Sequence, residues 1–187
     1  MKTIIILSLI GFAMSVSGQT RDANSYVSWE KTAAAYERTQ NQTYPAFTYQ
    51  SSDAAALTGL RNIYNLDSVA GKGSEVERAI RLLDWFHRQV PHEDVAPVSL
   101  LTADNIIRYH HDKKIGQGCY PLSIAMNEIF LAMGFRSRSV ICFSNRYPVS
   151  QGGHVIDALY IDSLQKWVYM DPQENAYIKD EKREADE

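Results

Sequence analysis

Cys119, His154 and Asp171 are the residues whose types and spacing could do chemistry in this chain. Cys119 directly precedes a run at helical spacing, Leu122, Ala125 or Met126, Ile129 and Met133, with Gly134 behind it as a stop. Pro121 fits only in a first turn, which sets the helix start near Cys119. A helix N-terminus concentrates positive potential, so a thiol there passes to the nucleophilic thiolate more readily than elsewhere. Such a nucleophile needs a base, usually His, and a third group that holds the imidazole in the useful tautomer. His154 and Asp171 stand on two strand-like segments around "DSLQK". If that hairpin pairs Ile161 with Trp167, Asp171 lands opposite Asp157, and two like charges face each other. A register shifted by one, with a two-residue turn at Asp162-Ser163 or Ser163-Leu164, separates them and brings His154 and Asp171 onto one face within reach of a hydrogen bond. The same shift gathers Ile156, Ala158, Trp167 and Tyr169 into what reads as a packed face.

The other reactive side chains read as structural. Cys142, in "RSVICF", looks like a small buried hydrophobe on a strand; a bridge to Cys119 is open in principle, but two cysteines make a poor disulfide framework for a domain of this size. His87, His92, His110 and His111, with Asp112, suggest a metal only superficially, because Pro91 removes helical spacing from the first pair and the adjacent pair point to different sides of any regular element. They are expected at the surface, with His92 or His111 bordering a cleft. No loop gathers the acidic oxygens that calcium needs, so neither metal nor cofactor is expected.

The elements that must position these groups follow from periodicity. Tyr26, Trp29, Ala33 and Tyr36 mark a helix, and Asp53 can cap a second one carrying Leu57, Leu60 and Tyr64 before "DSVAGKG" breaks the chain. Ser74 and Glu77 form a capping box at the head of a helix through Val76, Ile80, Leu83, Phe86 and Val90, which Pro91 ends. A short helix is expected near Ala103 to His111. Strands are expected at Ser137 to Phe143, His154 to Ile161 and Lys166 to Met170. Helices followed by consecutive strands with short links predict an α+β class with an antiparallel sheet.

The chain has 187 residues, 45% of them hydrophobic, which suffices for one domain with a proper core. With 19 Lys and Arg against 22 Asp and Glu, and no basic cluster interleaved with aromatics, nucleic acid is excluded as an expected partner. Residues 1–18 read as a secretory signal peptide: one lysine, an apolar run from Ile4 to Met14 too short to span a bilayer, then small residues. A secreted or periplasmic location without a stable membrane anchor is therefore expected. The Asn41-Gln42-Thr43 glycosylation pattern carries no weight alone. The organisation reads as signal peptide 1–18, N-terminal helical segment 19–73, catalytic-type domain 74–178 and charged tail 179–187.

The strings "GQGCYPLSIAMNEIFLAMGFRSRSV" and "GGHVIDALYIDSLQKWVYMDP" resemble the transglutaminase-like superfamily. Its members place a cysteine after a glycine-containing turn, follow it with a helix and a strand entry, open the next strand with a histidine and end a Trp-containing strand in Asp-Pro. The resemblance spans roughly Ser74 to Tyr177 and includes the helix with "LLDWFHRQV". It implies a papain-like core with the cysteine helix packed on an antiparallel sheet. It also implies Cys119 as nucleophile, His154 as base and later acid, and Asp171 as the orienting group, acting on amide bonds of a protein or peptide through a thioester. Trp85 and Gln117 are the candidates for a second oxyanion donor beside the Cys119 N–H. A non-catalytic module that kept the fold is the competing expectation.

Overall fold

A computed structural model describes residues 48–144 and 152–178. The expected signal peptide, the helix from Tyr26 to Tyr36, Asn41 and the charged tail lie outside the described residues. Among the described residues five helices precede a four-stranded antiparallel meander in the order β1-β2-β3-β4, which is an α+β fold. The helices are α1 (Ala55–Ile63), α2 (Leu66–Ala70), α3 (Glu75–Gln89), α4 (Ala103–Lys113) and α5 (Cys119–Ala132). The strands are β1 (Arg136–Phe143), β2 (Gly153–Ile161), β3 (Lys166–Asp171) and β4 (Ala176–Tyr177).

α3 begins as its sequence dictates: the Ser74 hydroxyl accepts from the Glu77 N–H while the Glu77 carboxylate accepts from the Ser74 N–H. α1 starts at Ala54 without a side-chain cap rather than at Asp53. The segment expected to break the chain instead forms α2, because Leu66 and Ala70 are spaced to bury together, and the break falls later at Gly71, in a left-handed conformation.

α5 is the centre of the described fold. It packs on β1 and β2 and also against α1, α3 and α4, and it buries Leu122, Ala125, Met126, Ile129, Phe130 and Ala132, so it is enclosed on several sides rather than along one amphipathic stripe. It ends in a Schellman motif: Gly134 adopts φ 82°, the Phe135 N–H bonds the Phe130 carbonyl at 3.0 Å, and the Gly134 N–H bonds the Leu131 carbonyl at 3.0 Å. The Phe130 and Phe135 rings meet edge to face across that turn, the hydrophobic contact this motif calls for.

The β2–β3 register is Asp157 opposite Met170 and Ile161 opposite Lys166, so the two aspartates do not face each other. The link is a four-residue 3-10 turn, Asp162 to Gln165, with Gln165 left-handed, rather than a two-residue turn. Of the expected packed face of Ile156, Ala158, Trp167 and Tyr169, Ile156 is buried, but this is not the face that joins the main core. Leu159, Ile161 and Met170, of opposite parity, join the core, whereas Trp167 is 38% exposed. The outer aromatics are covered by cations instead: Arg136 stacks on Tyr160 at 4.0 Å and Arg138 on Trp167 at 4.1 Å.

Candidate active site

The turn before Cys119 is held by the chain that follows α3. The Gln117 N–H bonds the Pro91 carbonyl, the Gln117 carbonyl accepts from the Glu93 N–H, and the Gly116 N–H donates to Glu93 Oε2 at 2.7 Å. Gly116 is required there by space: a Cβ would stand 2.4 Å from the Pro91 carbonyl oxygen and 2.8 Å from Glu93 Cβ. Gln117 is fully buried, with one amide N–H on the Gly116 carbonyl and its Oε1 on the Val98 N–H, so its side chain is turned into the protein rather than toward solvent. Trp85 packs against Tyr64 at 5.7 Å between centroids, as part of the helical layer.

Gly118 is the N-cap of α5 and offers no side-chain cap, and no acidic residue stands in the first turn. The first N–H groups of that turn, those of Cys119 and Tyr120, thus keep their hydrogen-bonding capacity, and Pro121 has none to offer. Cys119 is a free, half-buried thiol at this terminus.

His154 and Asp171 come together as the shifted register requires. His154 Nε2 lies 2.7 Å from Asp171 Oδ2. The carboxylate is held from four directions, because Oδ2 also accepts from the Tyr169 hydroxyl at 2.8 Å and Oδ1 accepts the backbone N–H of Gln173 at 3.0 Å and of Glu174 at 3.2 Å. Asp171 is buried, and its turn is braced from α3, where His87 Nδ1 lies 3.1 Å from the Pro172 carbonyl and Asp84 accepts from the Asn175 amide. Tyr169 escaped the sequence reasoning, although it sits two residues before Asp171 on the same strand face. Burial, and then the bond to Asp171, pushes its phenol up to about 12, so it remains a donor at any working pH.

Where Cys119 stands relative to His154 follows from the packing of α5 on β2. The C-terminal end of α5 feeds through Gly134 and Phe135 into Arg136, which pairs with Tyr160, so the helix runs alongside β2 with Cys119 at the His154 end. Ser123, one turn after Cys119 on the same helix face, bonds the Ile156 carbonyl at 3.1 Å. A four-residue step back along the helix is about 6 Å, and the two-residue step from Ile156 back to His154 is about 6.6 Å, so Cys119 comes roughly level with His154 along the strand.

Cys142 does not behave as a buried hydrophobe. It is exposed and lies directly opposite His154 in the β1–β2 register, on the same sheet face. The remaining histidines also find roles. His87 braces the Asp171 turn rather than lying idle at the surface, His110 Nδ1 meets the Ile115 carbonyl at 3.1 Å, and His92 lies beside Gln117 in an isolated bridge, with Nε2 3.3 Å from Asp94. His111 is exposed.

No family model matches the chain, and no curated protein matches it either. Among solved structures it is similar to the crystal structure of a "putative cysteine protease" from Cytophaga hutchinsonii, with a TM-score of 0.50 and 15% sequence identity over 71% of this chain. That likeness is one of fold, and this chain spans 43% of the other chain's length.

Proposed function

We propose that the protein is a cysteine-dependent amide hydrolase acting on protein or peptide substrates, of the papain-like and transglutaminase-like kind, with Cys119 as nucleophile, His154 as base and Asp171 as orienting group. The observation that carries this reading is the His154 Nε2 to Asp171 Oδ2 contact at 2.7 Å, with that carboxylate fixed by three further donors. A bond from Nε2–H to Asp171 selects the tautomer whose lone pair is on Nδ1, the nitrogen left to take a thiol proton. The Cys119 thiolate then attacks the amide carbonyl carbon. The oxyanion that forms is met by the uncapped N–H groups at the head of α5, a stabilisation that grows with the charge. On collapse the amine leaves with the proton from the imidazolium, and a thioester remains. Water, deprotonated by His154 in turn, releases the acid and frees the thiol. Water is the acceptor we assign, with an amine acceptor as the transferase variant. Residues 1–18 fit an export signal, which would put the activity outside the cytoplasm.

Cys142 is the competing thiol, favoured by its place opposite His154. Cys119 has what Cys142 lacks, a helix terminus with free N–H groups. The test is alkylation with iodoacetamide near neutral pH, located by mass spectrometry, alongside turnover of a fluorogenic peptide library by the full chain and by Cys119→Ser, Cys142→Ser and His154→Ala. Cys119 should react fast in a manner that depends on His154, and turnover should vanish in Cys119→Ser and persist in Cys142→Ser. Loss of turnover only in Cys142→Ser would move the nucleophile to β1. Slow, His154-independent alkylation at both cysteines would instead leave a non-catalytic module with this fold.

A further inference from the structure

We propose that Ser123, Ser139 and Asp157 form a positioning clamp that sets the height of Cys119 against His154, with Asp157 serving as a proton donor rather than as an ion. The proposal rests on the Cys119–His154 reading above. The three side chains come from three elements, α5, β1 and β2, at the layer where the cysteine helix meets the histidine strand. Ser123 Oγ lies 2.9 Å from Ser139 Oγ, 3.1 Å from the Ile156 carbonyl and 3.2 Å from Asp157 Oδ1, and Ser139 Oγ lies 3.3 Å from the same Asp157 oxygen. Ser123 and Asp157 are fully buried.

The hydrogen bookkeeping of this cluster decides the state of Asp157. The Ile156 carbonyl and an ionised Asp157 could both only accept, so the single Ser123 proton cannot serve the two of them. Ser139 supplies one proton, either to Ser123 or to Asp157. An ionised Asp157 would add none, leaving two of the four contacts as oxygen facing oxygen. A carboxylic acid supplies the third proton, donating to Ser123, and its second oxygen, which finds no partner among the described residues, is then a neutral carbonyl rather than a buried charge. Burial, against the two serine contacts, raises the Asp157 carboxyl well above the ordinary range, with the nearby Asp171 charge adding to the effect. The consequence is mechanical. Ser123 is one turn from Cys119 and bonds the strand two residues from His154, so this is the place where sliding of the helix along the sheet would change the thiol to imidazole distance.

Cys119 alkylation is the readout, followed by mass spectrometry from pH 5 to 9, with melting temperature recorded for each variant. Asp157→Asn keeps a neutral donor in the same shape and should leave the Cys119 profile within about twofold of the parent. Asp157→Ala and Ser123→Ala should slow Cys119 alkylation near pH 7 by about tenfold, as expected of a misplaced reacting pair. Ser139→Ala, at a half-buried site, should do so more mildly and serves if the others fail to fold. Folded Ser123→Ala and Ser139→Ala proteins with the parent profile would overturn the clamp, and so would Asp157→Asn behaving like Asp157→Ala. His154→Ala separates the two levels of inference: if it leaves Cys119 alkylation unchanged the acyl-transfer reading fails, whereas if it slows alkylation and the serine variants do not, the clamp alone fails.

Discussion

At the scale of single residues, Asp171 is the best-determined group of the site, and Tyr169 is what it shares with His154. Both donors converge on Oδ2, so the phenol limits how far the carboxylate can swing. Replacing Tyr169 with Phe should cost about 1 kcal/mol of stability. Under the proposed mechanism it should also lower kcat several-fold with little change in KM, since it touches only the orienting group; peptide turnover and urea unfolding on one preparation would check both. The polar positions of this cluster were legible in the sequence because avoiding a like-charge pair between the two aspartates rules out one register, and both of the two-residue turns that remained put His154 and Asp171 on one face. Tyr169 was not, because a tyrosine in a strand reads as packing until its hydroxyl is seen to have a buried partner. Cys142 misled for a related reason: "SVICF" has the composition of a core strand, yet β1 is the sheet edge and its last residues, including Ile141 and Phe143, extend beyond the core into solvent.

At the scale of elements, the approach to α5 is as constrained as the helix itself. Gly116→Ala would push a methyl group against the Pro91 carbonyl and Glu93, and since one neighbour is backbone, the turn that presents Cys119 must shift. A loss of about 1–3 kcal/mol is expected, with the larger effect on Cys119 reactivity; thermal melts and alkylation rates read the two separately. Helix starts and stops were legible where a mechanism marks them, as at Ser74 with Glu77 and at Gly134. The core face of the sheet was not. Its inward positions include the polar Ser137, Ser139 and Asp157, while Trp167, expected in the packed face, lies on the outer face beside Tyr160, each stacked under an arginine.

At the scale of the whole molecule, the buried Asp157 couples stability to pH. Its carboxyl is raised in the folded protein and ordinary in the unfolded chain, so between those two values the folded state holds the extra proton. Stability contributed by this group is therefore greatest at low pH and declines as pH rises from the ordinary carboxylate range toward the raised value. Asp157→Asn removes that decline. Urea unfolding at several pH values should give the variant a flatter stability profile than the parent from the ordinary carboxylate range upward, and parallel profiles would mean that Asp157 is ionised in the fold. The α+β class and the antiparallel meander were legible in the order of periodic segments. The enclosure of α5 by three other helices was not, because periodicity within one helix does not reveal how many neighbours surround it.

The bare N-cap of α5 has an evolutionary meaning. Gly118 has an extended backbone, φ −71° and ψ 172°, that any residue can adopt, and nothing stands within 4 Å of where its Cβ would be, so neither strain nor space demands glycine. A serine or aspartate there would cap the Tyr120 N–H and add about 1 kcal/mol to the helix. Leaving the terminus uncapped forgoes that stability and keeps the donors available to a ligand, the trade between robustness and activity seen where a site depends on unsatisfied groups. Gly118→Ser should accordingly melt at a higher temperature than the parent while turning over peptide more slowly, and a variant that is both more stable and equally active would show that the Tyr120 N–H serves no substrate.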